Sequence, residues 1–228
     1  MNNKLFSLLQ ICDSNFPSGA FAHSFGMETY IQEGIISDKK TFLHAIIQYL
    51  NVPSTYTDGL ACRLAYQASE SKQINSIWKL DQELYALANA KEIREGNKRI
   101  GQQLLKVMTE LFKSELLQTY QSRIKAKQQH GHGAIVFAIV CHYLKISLED
   151  TLSVYLFATA SSLVQNGVRG IPLGQTTGQV LLNELQPILA TQVEKILMLN
   201  EDDFGGSTPG LEISQMKHEE LSVRLFMS

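Results

Sequence analysis

The chain has 228 residues, 44% of them hydrophobic, a formal net charge of −2 and only 18% charged side chains, against roughly 25% in an average soluble domain. This balance excludes nucleic acid as an obligatory ligand, which demands a clear excess of Lys and Arg, and no run reaches the roughly eighteen apolar residues of a membrane span. The three cysteines, Cys12, Cys62 and Cys141, are odd in number and widely spaced, so they form neither a disulfide framework nor a zinc ribbon.

At the N-terminus, Lys4, the apolar Leu5–Cys12 and the small residues around Ala20-Phe21-Ala22 imitate a secretory leader. Gln10 interrupts the apolar stretch, and Asp13, Asn15, Pro17 and Gly19 separate it from the alanines, so a cytoplasmic location is expected. Residues 13–26, rich in Ser, Gly, Phe and Pro, read as a structured loop leading into a helix over Met27–Glu33. Ser37-Asp38 caps the next helix, in which Phe42, Leu43, Ile46, Ile47 and Leu50 recur at helical spacing and Pro53 is expected to stop the run. Two further helical pieces fill Pro53 to Ala90, and Arg94 to Tyr120 reads as one long helix with Ile100, Leu104, Met108 and Leu111 on a stripe. Ala134–Leu144 is apolar all round, which predicts a core helix. Ser147-Leu148-Glu149-Asp150 has the composition of a helix start. Pro172 is placed at a first helical position, and Pro187 is expected to end or kink that helix. No segment alternates apolar and polar residues convincingly. The fold class is all-α, a compact multi-helix, bundle-like domain over residues 1–200 followed by a flexible partner-docking tail over 201–228. That tail opens on acidic and glycine-rich residues yet ends in Leu221, Val223, Leu225 and Phe226, which favour burial. Charge is uneven too: residues 91–127 hold nine Lys/Arg and four Asp/Glu, whereas 194–228 hold three and seven. Solvated helix faces account for this, as does a basic surface that meets an acidic partner.

Catalytic signatures are weak. Gly174–Gly178 lacks the lysine of a phosphate loop, and its two glycines after Pro172 are better suited to close helix packing, which makes Pro172, Gly174 and Gly178 packing candidates. Ala22–Gly26 resembles a nucleophile elbow around Ser24 without its first glycine or its strand. His130 and His132 put two imidazoles together, with His23 and His218 elsewhere, but two histidines do not close a metal site. His142, within the apolar helix, reads as a hydrogen-bonded core histidine. No catalytic residue, metal ligand or cofactor is assigned.

Three segments carry a resemblance. Ser14–Glu28, reading SNFPSGAFAHSFGME, Val168–Gln179, reading VRGIPLGQTTGQ, and Pro209–Ser228, reading PGLEISQMKHEELSVRLFMS, are similar to landmarks of the urease accessory F family, UreF, in that family's order. A weaker similarity runs from Glu92-Ile-Arg94 through Gly101 to Leu104-Leu105. The resemblance implies an all-helical homodimer without catalysis of its own, a scaffold for nickel insertion. It binds the accessory D protein (H in some systems), recruits the G protein, a GTPase, and so reaches the urease apoprotein. It further implies that the tail from Phe204 orders against the D partner. There Met216, His218, Glu219, Arg224, Leu225 and Phe226 supply apolar anchors and charged hydrogen bonds. Arg169 is implied to lie on the surface that controls GTPase contact, or else to close a helix end with a salt bridge. Asn15, Pro17, Gly19, His23 and Glu28 shape the N-terminal face, with loop geometry sufficient for Pro17 and Gly19. Gly170 and Gly96 depart from the family's pattern. Other readings are a helical regulator without a urease link, or a hydrolase built on Ser24 or on a metal at His130 and His132.

Overall fold

The computed structural model describes residues 3–13 and 15–228, and every regular element among them is helical. The order is α1 (Asn3–Ile11), α2 (Met27–Gln32), α3 (Lys39–Tyr49), a π-helical stretch (Leu50–Gly59), α4 (Leu60–Glu70), α5 (Ile74–Leu87) and α6 (Lys91–Leu111). Then follow α7 (Glu115–Lys125), α8 (Gly133–Tyr143), α9 (Leu148–Gly170), α10 (Gln175–Met198) and α11 (Pro209–Lys217), with single 3-10 turns at Ala20–Ala22, Glu201–Asp203 and His218–Glu220.

The apolar helix predicted at Ala134 is the centre of the fold. From Ala134 to Cys141 no residue of α8 is more than 5% exposed, and α4, α6, α7 and α9 pack around it. Each large side chain buried there contributes about 1.5–3 kcal/mol. The helix starts follow local chemistry. Asp38 accepts from Thr41 N–H at 2.8 Å while Thr41 Oγ1 accepts from Asp38 N–H at 3.1 Å, a reciprocal cap. Ser147 Oγ accepts from Asp150 N–H at 3.1 Å and opens α9.

Proline and glycine mark the differences from expectation. Pro53 does not stop its helix: the backbone widens into the π-helical stretch and runs on into α4. A π turn accommodates the missing N–H and the ring better than an α turn does, and Thr55 Oγ1 donates to the Leu50 carbonyl inside it at 2.6 Å. The predicted long helix is two, because Phe112 and Ser114 adopt extended backbone between α6 and α7. A short break leaves the apolar spacing on either side intact, so periodicity does not register it. Pro172 lies outside α10, at the centre of a tight turn in which Leu173 N–H donates to the Ile171 carbonyl at 2.6 Å. α10 continues through Pro187. Close packing of α10 on α9 occurs at Gly178, where a Cβ would sit 2.9 Å from Val168 Cγ2. Gly174 is the N-cap, with nothing within 4 Å of a Cβ built there. His142 is half-buried rather than in the core, and lies edge-on to Tyr66.

Candidate functional site

The N-terminal loop and the C-terminal segment, unrelated in sequence, form one surface. Gly26 has φ +91°, and a Cβ there would lie 2.6 Å from Gln215 Cγ and 3.2 Å from Leu211 Cδ1. Only glycine lets the chain turn into α2 with α11 so close. Around this contact Ser214 Oγ donates to the Gly26 carbonyl at 2.7 Å and Thr29 Oγ1 donates to the Ser214 carbonyl at 2.8 Å.

Glu28, on the first turn of α2, is 4% exposed and organises the end of the chain. Its Oε1 accepts from Leu225 N–H at 2.5 Å, and its Oε2 accepts from Phe226 N–H at 3.1 Å and lies 2.8 Å from His218 Nε2. The other ring nitrogen, Nδ1 of His218, lies 2.6 Å from Glu92 Oε2 of α6. Glu92 Oε1 in turn accepts from Arg224 Nη1 at 2.6 Å. His218 itself is fully buried.

The last residue is held by the same loop. The Ser228 carbonyl accepts from Ser24 N–H at 2.5 Å, Phe25 N–H at 3.1 Å and Ser24 Oγ at 2.8 Å. Met227 N–H donates to the Ala22 carbonyl at 2.8 Å, and His23 Nδ1 lies 2.6 Å from Ser228 Oγ. Burial, then the positive charge of Arg99 and of His218, pushes the His23 imidazole below its ordinary value. Arg169 closes the edge: it donates from Nη1 to the Phe21 carbonyl at 2.9 Å, with its guanidinium carbon 4.4 Å from the Phe21 ring centre and 4.9 Å from that of Phe226. Among the described residues its contacts are this carbonyl and the two rings, with no ion pair. Two glycines also fall here. A Cβ at Gly96 would lie 2.9 Å from the His23 ring, and one at Gly170 would lie 3.1 Å from Ile31 and 3.6 Å from Phe226.

Of the predicted site residues, His23, Glu28, Arg169, His218, Arg224, Leu225 and Phe226 converge on this surface. His218 and Phe226 face inward and anchor the segment to the body. Met216 and Leu225 face out, 45% and 51% exposed, and Ile213, Val223 and Met227 are exposed too. Glu219 is exposed, and its carbonyl accepts from Arg224 Nη2 at 3.4 Å. Asn15, Pro17 and Gly19 lie exposed in the earlier part of the loop, where Asn15 N–H donates to Asp13 Oδ1 at 2.7 Å. The structure does not join them to the C-terminal segment; Ser14 lies outside the described residues.

His130 and His132 have structural work. The His130 ring stacks on Tyr85 at 3.6 Å between centres, and His132 caps α8 through Nδ1, which accepts from Ala134 N–H at 3.3 Å. Their loop is set by Asp81, 1% exposed, whose carboxylate accepts from the N–H groups of His130 (2.7 Å) and Gly131 (2.9 Å), from Gln129 Nε2 (3.2 Å) and from the Tyr120 hydroxyl. Asp58, whose carboxyl burial pushes up, lies 3.8 Å from His132 Nε2. Cavities of about 230 and 160 Å³ both border this pair. Sequence reading missed Asp81, Asp58 and the part played by Ser24 and Ser228, since an acid inside an amphipathic helix and a terminal serine carry no local signal.

The UreF family profile matches residues 36–186. Over 226 residues the chain is 52% identical to the urease accessory protein UreF of Bacillus sp. (strain TB-90), covering 99% of this chain and all of that protein. It is 50% identical over 228 residues to UreF of Lachnoclostridium phytofermentans, with both chains covered completely. It is 43% identical over 226 residues to UreF of Ureaplasma parvum, covering 98% of this chain and 96% of that one. These alignments carry the likeness beyond the profile's span into both the N-terminal loop and the C-terminal segment, and the chain belongs to the UreF family of urease accessory proteins.

Proposed function

We propose that this chain is a urease maturation scaffold that acts by protein contact. It binds the accessory D/H protein through the C-terminal segment, and the complex recruits the G GTPase and delivers nickel to the urease apoprotein. The chain works as a cytoplasmic homodimer, without a cofactor or a reaction of its own. The observation that carries the reading is the two-sided character of residues 209–228. His218 and Phe226 fasten the segment to the body, and Ile213, Met216, Val223, Leu225 and Met227 line its outer side as exposed apolar groups. Apolar residues clustered on an exposed segment with Arg224 and Glu219 at hand suit the core and rim of a protein interface. The segment exchanges between the body-docked form and a flexible one, and the partner favours the docked form by covering that outer side. Arg169, stacked between Phe21 and Phe226, couples the segment to the face that meets the GTPase.

The test is co-purification with the accessory D protein, comparing the full chain, a chain ended at Asp203, and a full-length Met216→Asp/Leu225→Asp double variant. Truncation exposes Glu28 as well as removing the segment, whereas the double variant changes exposed positions alone. Binding by the full chain and loss in both variants is expected. Equal binding by all three moves the interface to the helical body, and binding by none, with folded proteins, overturns the partner assignment.

A further inference from the structure

Inside the helical body, away from the C-terminal surface, the cavities of about 230 and 160 Å³ share Phe25, Tyr49, Asp58, Asn97 and His132 as walls. Tyr49 ends α3, and Asp58 lies near the end of the π-helical stretch. Nine positions are two and a half turns of an α-helix, which would set the two side chains on opposite faces. The wider π turn lets both border the same space, and π-helical insertions are frequent at functional sites. The polar groups at this junction lack internal partners. Among the described residues the Asp58 carboxylate, the Tyr49 hydroxyl and the Asn97 side-chain amide make no hydrogen bond. His132 Nε2 stands 3.8 Å from Asp58, beyond hydrogen-bond reach. Since His132 Nδ1 accepts from Ala134 N–H, Nε2 carries the ring proton and faces this carboxylate. Burial pushes the Asp58 carboxyl up, with His132 opposing.

We infer that the larger cavity binds a small organic cation of the amidinium or guanidinium class, which donates its N–H groups to Asp58 and lays an apolar body against Phe16, Leu104 and Phe137. Three observations select this chemistry. The first is charge: Asp13 and Asp58 border the larger cavity and Asp58 and Glu212 the smaller, while no Lys or Arg among the described residues borders either. A buried carboxylate without a donor is costly, and a cation with N–H groups supplies both charge and donors. The second is size. A cavity of about 150 Å³ holds benzene, so about 230 Å³ admits a six-membered ring with a charged substituent. The third is the donor set, since among the described residues no group of three His, Cys, Asp or Glu side chains could hold a metal ion. The site also gives the N-terminal motif a second task, because Phe16, Ser18 and Gly19 border the cavity without touching the C-terminal segment. No partner protein is needed, so failure of this inference is separate from failure of the scaffold reading.

The experiment is a calorimetric titration of the full-length protein with benzamidine, a cation at neutral pH, and with benzamide, its neutral counterpart of nearly the same shape. Wild type, Asp58→Asn and Ala158→Leu are compared; Ala158, on α9, borders the larger cavity, and leucine there fills it without changing charge. Wild type is expected to bind one benzamidine, about tenfold or more tighter than benzamide, as a charge-assisted hydrogen bond demands. Asp58→Asn is expected to lose that preference, and Ala158→Leu to weaken both probes. Absence of benzamidine binding to wild type at millimolar concentration overturns the inference, as does equal binding of the two probes. Benzamidine binding that neither variant alters overturns it too. If Asp58→Asn does not fold, the ratio of the two probes in wild type and the loss in Ala158→Leu decide. Nickel ion is titrated in parallel, and one equivalent that displaces benzamidine from wild type overturns the organic cation in favour of a metal.

Discussion

Glu28 and His218, separated by 190 positions in the chain, meet at 2.8 Å in a contact closed to solvent. The carboxylate that receives the imidazole also receives the N–H groups of Leu225 and Phe226. One side chain from the N-terminal motif therefore sets the path of the last turn and of the terminal residues. The sequence separation adds little to the cost of closure, since loop entropy grows only with the logarithm of length.

Replacing Glu28 should release the segment while sparing the core. Glu28→Ala removes the acceptor of the Leu225 and Phe226 N–H groups and the partner of His218 Nε2, and each buried polar group left unpaired costs about 1–3 kcal/mol. Exchange protection and resistance to proteolysis over residues 218–228 should collapse, while the unfolding transition of the body, centred on α8, changes little. Retained protection in the variant would show that Phe226 and Ser228 hold the segment unaided.

Arg169 offers a separable test of stacking against charge. Its guanidinium is exposed to solvent and stacks on Phe21 and Phe226, a contact worth about 0.5–1 kcal/mol at such a site. Arg169→Ala should therefore loosen the docked end of the chain roughly two- to fivefold, read as faster amide exchange at Phe226 and Met227. Arg169→Lys keeps the charge but not the planar guanidinium, so it should fall between the two in the same measurement. If lysine matches arginine there, charge alone holds this edge.

Asp81 is a buried acceptor outside the composite surface whose loss should cost stability. Its buried carboxylate accepts from two backbone N–H groups, Gln129 and Tyr120. Asp81→Asn sets an amide donor against donors in a buried site, and the cost of a buried group left unpaired is about 1–3 kcal/mol or more. A lower urea midpoint with unchanged m, together with faster exchange of His130 and Gly131, is the expected result.

Acidification should loosen the end of the chain through His23. Burial lowers this imidazole below its ordinary value of 6.5 in the docked form, so the undocked form binds more protons. Docking is at full strength above the ordinary value and is lost as pH falls below it. Exchange protection of Met227 and Ser228 should decline between about pH 7 and about pH 5, and His23→Gln should remove that acid-side slope.

Much of the helical frame was legible because it rests on contacts a few residues apart. Asp38 with Thr41, Ser147 with Asp150, and the unbroken apolar run of α8 are local statements that one turn of helix decides. The reading failed where local rules met packing. Pro53 sits inside a continuous rod because the backbone widens there, and the break at Phe112–Ser114 interrupts a stripe whose spacing survives it. Gly167 carried no signal at all, yet a Cβ there would lie 2.0 Å from the Phe42 ring. That requirement belongs to the crossing of α9 with α3 and is invisible along either helix.

The same division holds at the candidate site. Spacing, capping residues and hydrophobic runs are properties of neighbouring residues, so the sequence by itself determined an all-α chain, its main helix starts, and the segments that carry family likeness. Only the tertiary structure decided that His218 and Phe226 turn inward while Met216 and Leu225 turn outward, that Arg169 lies over two rings, and that Glu28 and Glu92 share one buried imidazole while Arg224 pairs with Glu92. The physical reason is that charge pairing and burial depend on which surfaces meet across the fold, and here the partners are more than a hundred residues apart.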